Sequence, residues 1–344
     1  MKARSREREE AQLQEMRRAS GVIKIERPDP ALLSAIAAHA DAQGNTNAEA
    51  QGEPNLSLRT GPNTATLLVA CEPNLDLSYL LSQAFAACGA RVIESEQYTH
   101  PNSARWFLRM HADTSRMHHG IEALSIALGT ISRELGLIFH SEHLNRKKRV
   151  ALFVSKYDHC LYDLLFRHDA GELDCEIPLI MSNHRDLEPV AKQFGVPFQV
   201  VPKTAANKAE AEDLECGLLA MADVDLVVLA RYMQIMSREF VTRFSRRVIN
   251  IHHSFLPAFI GGKPYHQAHE RGVKLIGATA HYATANLDEG PIIEQDVVRC
   301  THKDSVEDLV RKGRDLERLV LARAVRLHLE DRVIVEGNKT VIFD

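Results

Sequence analysis

No two cysteines in this chain stand three positions apart. The six (Cys71, Cys88, Cys160, Cys175, Cys216, Cys300) are scattered, which excludes a C-x-x-C zinc ribbon or a disulfide framework and fits a reducing compartment. Long apolar runs are missing too, with none near the roughly 20 residues that cross a bilayer, so no membrane partner is expected. Positive charge is not in excess. The 42 Lys and Arg against 46 Asp and Glu leave a formal net charge of −4, which gives no basis for binding nucleic acid. The N-terminus, MKARSREREEAQLQEMRRAS, has no apolar core of a secretory signal and is too rich in glutamate for a transit peptide. The cytoplasm is the expected address.

Three catalytic signatures are also absent. There is no G-x-S-x-G, and Ser254 follows a strand without flanking glycines. His266 and His269, with Glu270 beside them, fit neither H-E-x-x-H nor H-x-x-E-H. A surface helix explains that pair better than zinc does. His252 and His253 are neighbours in a strand and point to opposite faces, so they cannot chelate one ion together. Cys160 beside His159 reads as a core thiol at a helix start rather than as a nucleophile with its base.

What is present divides the chain at about 63 and 145. Residues 1–63 are polar and turn-rich, with little to bury, and are expected to be a disordered or partly helical extension. Residues 64–145 alternate strand, helix, strand, strand, helix, strand, the ferredoxin-like α+β order. After a basic stretch, NRKKR, residues 146–344 alternate apolar strands with helices. That pattern predicts an α/β domain with a doubly wound, mainly parallel sheet covered on both faces. KLIGATAHYAT and PIIEQDVVRC predict antiparallel strands added at one edge. A long helix begins near Ser305 with a capping-box pattern to Asp308, and a hairpin turning at Gly337 and Asn338 closes the chain.

In doubly wound sheets the first βα turn is the usual phosphate cradle. Here it reads FVSKYDHCLYDLL and holds no glycine, so a backbone approach to phosphate is blocked and a dinucleotide or P-loop site is excluded. Lys156 is read as a solvated charge, and Asp158 and His159 as either lining a pocket mouth or capping the helix. The stretch RRVINIHHSFLPA is more informative. An apolar strand ends with Asn250 and His252 on one face. Two readings stand: satisfied polar groups at a strand end, or two N–H donors aimed at an oxygen that becomes negative. Asp288, in a turn closed by Gly290 and Pro291, would orient and charge the imidazole if it came within reach. No nucleophilic side chain accompanies the set, so the attacking group would come from outside, as water or an amine.

These residues carry a family resemblance. NIHHSFLPAF…GGKPYHQA, HYATANLDEGPIIEQ and LARYMQIMS resemble the formyltransferase-fold enzymes that use 10-formyltetrahydrofolate, and among them the formyltetrahydrofolate deformylases. The resemblance runs from about Thr64 to the C-terminus. It implies an ACT-type module followed by a catalytic domain of the formyltransferase fold, with Asn250, His252 and Asp288 as the catalytic three. It also implies a folate-ring pocket from Met233, Gln234 and Ile235 with Thr284, Ala285, Asn286 and Leu287. No metal or other cofactor is implied, because the folate is the substrate. A homo-oligomer through the ACT-type module is implied as well. Where ACT modules carry a glycine-bearing effector loop, this chain reads CEPNLDLSY. Related glycinamide ribonucleotide transformylases place a glycine-rich phosphate loop at the first turn, so its absence favours water over a phosphorylated amine as acceptor. The alternatives at this stage are formyl transfer to an amine, a folate sensor with a degenerate site, and a metal hydrolase.

Overall fold

Leu56 and Leu58, inside the expected extension, are fully buried. They belong to β1 (Asn55–Thr60), so the boundary at 63 is corrected: order is in place by Asn55. β1 turns through Gly61 and pairs antiparallel with β2 (Thr64–Cys71). The computed structural model describes residues 54–73, 77–118, 120–143, 146–257 and 264–344. The rest of the expected extension, and the centre of the FLPAF…GGK motif, lie outside these residues.

Five strands form the first sheet, in the order β3 (Arg91–Thr99), β4 (Trp106–Asp113), β2, β1, β5 (Ile138–His143). The predicted ferredoxin-like order is present, with β1 inserted between β2 and β5. Because strand residues alternate faces, Leu67 and Val69 turn to one side and Leu68 and Ala70 to the other. The first side packs under α1 (Leu77–Ala87) and α2 (Gly120–Glu134), where Phe85, Leu124 and Leu128 complete a core. The second side, with Phe107, meets Ile334 and Phe343 of the C-terminal hairpin.

The second sheet runs β12-β11-β10-β9-β6-β7-β8. Its parallel part is β6 (Lys148–Val154), β7 (Cys175–Ser182), β8 (Phe198–Val200), β9 (Leu226–Leu229) and β10 (Val248–His252). β11 (Leu275–Tyr282) and β12 (Ile292–Arg299) add antiparallel at one edge. On one face lie α3 (His159–Asp169), α4 (Glu188–Gln193) and α8 (Val306–Leu329), packed on Val150, Leu152 and Ile249. On the other lie α5 (Lys208–Met221) and α6 (Arg238–Arg243), packed on Ala151, Phe153 and Val248. A short helix, α7 (Pro264–Arg271), precedes β11, and α8 starts at Ser305 with both bonds of a capping box to Asp308. Strands β13 (Val333–Glu336) and β14 (Lys339–Ile342) form the closing hairpin.

The strand order reverses between β6 and β9, which opens a crevice at the carboxyl ends of the parallel strands. The two sheets are tied together by charge. Asp331 accepts from Arg59 at 2.8 Å and from Lys148 at 2.6 Å. The buried Arg109 donates to the Asp331 and Glu330 carbonyls, both at 3.0 Å.

Candidate active site

Parity along β10 places the polar residues. Ile249 and Ile251 enter the core beneath α8, so Asn250 and His252 emerge on the opposite face. β11 runs antiparallel beside them, with Asn250 opposite His281 and His252 opposite Thr279. Four polar side chains thus share one face. Thr279, fully buried, donates to the Ser254 carbonyl and accepts from the Leu256 amide. Those bonds fix the turn that follows His252.

Asp288 reaches this face from the turn after β11. Its backbone is left-handed, at φ +56°, a region that few side chains other than Asn and Asp occupy readily. The turn folds tightly because residue 290 is glycine: a Cβ there would sit 1.8 Å from the Tyr282 carbonyl oxygen. Oδ1 of Asp288 lies 3.2 Å from His252 Nδ1 and 3.7 Å from His281 Nε2. Asn250 Nδ2 is 3.2 Å from that same His281 nitrogen. Burial by itself would raise the Asp288 pKa, but hydrogen bonds from His252 and His281 outweigh it and hold the carboxyl below the usual carboxylate range. With Nδ1 turned to Asp288, His252 Nε2 is buried and has no hydrogen-bond partner among the described residues. Asn250, His252 and Asp288 are therefore brought together. His281 was missed from sequence, although it shares β11 with Thr279 at strand spacing.

The other expected residues flank this group on two loops. Met233, Ile235 and Leu287 are 54%, 60% and 58% exposed. The loop at 233–235 is nonetheless held firmly. The Met233 amide donates to Ser155 Oγ at 3.0 Å, and the Ser237 amide donates to Glu212 at 3.1 Å. Met233 and Gln234 line a cavity of about 270 Å³ with Ser155, Lys156, Tyr157, Asn183 and His184. Thr284, Ala285, Asn286 and Leu287 are all exposed, and the Thr284 hydroxyl donates to the Asn286 carbonyl at 3.0 Å.

Of the residues set aside from sequence, Cys160 is fully buried, and burial pushes its thiol well up. His266 and His269 are exposed on α7. Asp158 makes no side-chain cap to α3, and His159 instead turns its ring to Glu317.

The sequence pattern of the formyl transferase family matches residues 148–325. A formyltetrahydrofolate deformylase from Synechocystis sp. is 51% identical over 280 residues, covering 81% of this chain and 98% of that protein. A solved formyltetrahydrofolate deformylase from Pseudomonas syringae pv. tomato aligns with a TM-score of 0.76 at 40% identity, over 86% of this chain and 96% of that one. Glycinamide ribonucleotide transformylase 1 from Symbiobacterium toebii aligns at 0.54 and 33% identity, over 58% of this chain and 95% of that one. With a relative that close along nearly its whole length, the chain belongs to the formyl transferase family and, within it, to the formyltetrahydrofolate deformylases.

Proposed function

We propose that the chain hydrolyses 10-formyltetrahydrofolate to tetrahydrofolate and formate at the face built by Asn250, His252 and Asp288. The observation that carries this reading is the Asp288 carboxylate, 3.2 Å from His252 Nδ1, with Asn250 on the same strand face. Water attacks the formyl carbon and forms the new C–O bond, and its proton passes to the His252–Asp288 pair. The Asn250 amide and His252 Nε2 face the oxygen that becomes negative. Each such donor is worth about 10²–10³ in turnover. The C–N10 bond then breaks, N10 takes up a proton, and formate and tetrahydrofolate leave.

The exposed Met233, Ile235 and Leu287 give the folate ring two apolar edges, and the glycine-free first turn leaves no phosphate cradle for an amine substrate. No metal takes part. The formate serves one-carbon metabolism and purine synthesis. The first sheet acts as the ACT-type module and pairs subunits through β3, which among the described residues has a neighbour on one side only and exposes Ile93 and Tyr98. The cytoplasm is supported by six free, buried thiols; no helix among the described residues is long and apolar enough to cross a membrane.

The test is formate release from 10-formyltetrahydrofolate by purified protein without amine, nucleotide or added metal, and with chelator present. Release under those conditions is expected. Formyl transfer to an amine, with no formate released in its absence, would make the chain a transformylase. Folate binding without any turnover would make it a sensor.

A further inference from the structure

Beside the reacting face lies a second buried carboxylate that the chemistry above does not use. Glu317, on α8, is 1% exposed. Its Oε2 is 2.7 Å from His159 Nε2 and 3.3 Å from Arg231 Nε, and its Oε1 accepts from the Tyr265 hydroxyl at 2.6 Å. These partners come from three separate places: the start of α3, the turn after β9, and α7. Burial would raise the Glu317 pKa, yet His159 and Arg231 hold it below its ordinary value. The carboxylate is thus a charged anchor at which three segments meet.

Arg231 shows what the anchor holds. Its backbone is left-handed, at φ +64°, which costs a non-glycine residue on the order of 1–2 kcal/mol. The next residue, Tyr232, is drawn to a different buried carboxylate, donating its hydroxyl to Glu215 at 2.9 Å. The Met233 amide is then tied to Ser155. Consecutive residues thus meet different buried carboxylates, Arg231 through an ion pair with no hydrogen bond at Nε among the described residues and Tyr232 through its hydroxyl, and the turn leaves Met233 and Ile235 exposed. The Arg231 guanidinium also stacks 5.0 Å from the Tyr157 ring, at the rim of the cavity that Met233 and Gln234 line.

The helix is shaped for this contact. Residue 313, one turn before Glu317 on the same face of α8, is glycine, and a Cβ there would lie 2.0 Å from the Tyr265 hydroxyl. A glycine inside a helix costs about 1 kcal/mol against alanine, and here it admits the Tyr265 ring to the carboxylate. That ring sits 6.3 Å from His253, whose own ring is 4.9 Å from His252. His159, Cys160 and Glu317 have donor atoms within 4.8 Å of one another. A dication among them would share its only carboxylate with the Arg231 cation, so the cluster is better suited to anchoring than to holding a metal.

We propose that Glu317 is a positioning residue for the hydrolysis: through Arg231 it sets the turn that presents Met233 and Ile235 to the folate, and through Tyr265 it seats α7 beside His253. The proposal rests on the deformylase reading, and it makes the Glu317 charge govern substrate grip more than the chemical step.

Glu317→Gln keeps the shape and the hydrogen bonds to His159 and Tyr265 but removes the charge that holds Arg231. KM for 10-formyltetrahydrofolate is expected to rise at least tenfold, with kcat within about threefold of wild type. Arg231→Gln should give the same split, and the double variant should be no worse than either single, since both remove one interaction. An unchanged KM in folded Glu317→Gln or Arg231→Gln protein would overturn the proposal. So would a fall in kcat alone, or KM effects that add in the double variant. Should Glu317→Gln fail to fold, Arg231→Gln and Tyr265→Phe carry the measurement, with Tyr265→Phe expected to raise KM severalfold and an unchanged KM in both counting against the anchor. Wild-type protein assayed alongside separates the two ideas: no formate from wild type sinks the deformylase reading, whereas active wild type with indifferent variants sinks only the role of Glu317.

Discussion

Asp288→Asn is a clean perturbation because the backbone favours it. Asp288 sits at φ +56°, and Asn is among the side chains best able to stay in that left-handed region. The turn should therefore keep its path, and the amide should stay within reach of His252 Nδ1, where the carboxylate now lies at 3.2 Å. What changes is charge. The site loses the anion that His252 and His281 both face, and with it the group we propose as acceptor of the attacking water's proton. Removing one electrostatic partner from a preorganised site costs about 10²–10³ in turnover, and mis-setting a histidine by an Asp-to-Asn change costs up to about 10⁴. A loss near 10³, about 4 kcal/mol in the barrier, is expected. Formate release measured with an excess of 10-formyltetrahydrofolate reads kcat, and calorimetric titration with a non-hydrolysable folate reads binding, which should move by less than about threefold. Turnover above a tenth of wild type would refute the reasoning, because it would mean that the carboxylate is only a structural partner of two histidines. The same geometry bears on pH. The Asp288 carboxyl is held below the usual range, so its charge is constant above about pH 4, and any acid limb of kcat/KM above that belongs to another group.

Stability should fall on mild acidification. Burial, then the neighbouring Arg231, pushes His253 from 6.5 down to about 4. Between those values the unfolded chain binds a proton that the folded chain refuses, so stability is full above pH 6.5 and declines below it. At ~1.4 kcal/mol per pH unit the drop is at most roughly 3.5 kcal/mol. His328, lowered to about 3 by burial and then by Lys148, acts in the same direction; thermal melts from pH 7.5 to 4.5 should show a flatter decline in His328→Gln than in wild type. Gly290→Ala should displace the Asp288 turn, because the added Cβ would fall 1.8 Å from the Tyr282 carbonyl oxygen. Overpacking of this kind costs about 1–3 kcal/mol, and formate release should drop at least tenfold; a melt and activity matching wild type would show that the turn yields without moving the carboxylate.

Period-two alternation made the strand-end pair legible: Asn250 and His252 could be assigned to one face because Ile249 and Ile251 flank them. The doubly wound sheet, its antiparallel edge, the capping box at Ser305 and the closing hairpin were legible for the same local reasons. β1 was not. Its only apolar residues are Leu56 and Leu58, in a polar stretch, and they are buried because β2 and β5 bracket the strand, a pairing that spans most of the first domain. His281 required the register of β11 against β10, which no local pattern supplies.

Glu317 is the more instructive omission. It lies in RKGRDLERLV, where a glutamate looks like one more solvated charge. Yet the buried positions of α8 include Leu309, Gly313, Leu316, Val320 and Leu321, and Glu317 falls on that stripe by helical spacing. A charged residue on the apolar stripe of a helix must find partners or destabilise the fold. Its partners, His159, Arg231 and Tyr265, stand in the segments DHC, LARYM and KPYHQA, each of which was noticed for other reasons. The periodicity that buries Val320 and Leu321 thus also singles out the carboxylate at which the start of α3, the turn after β9 and α7 meet.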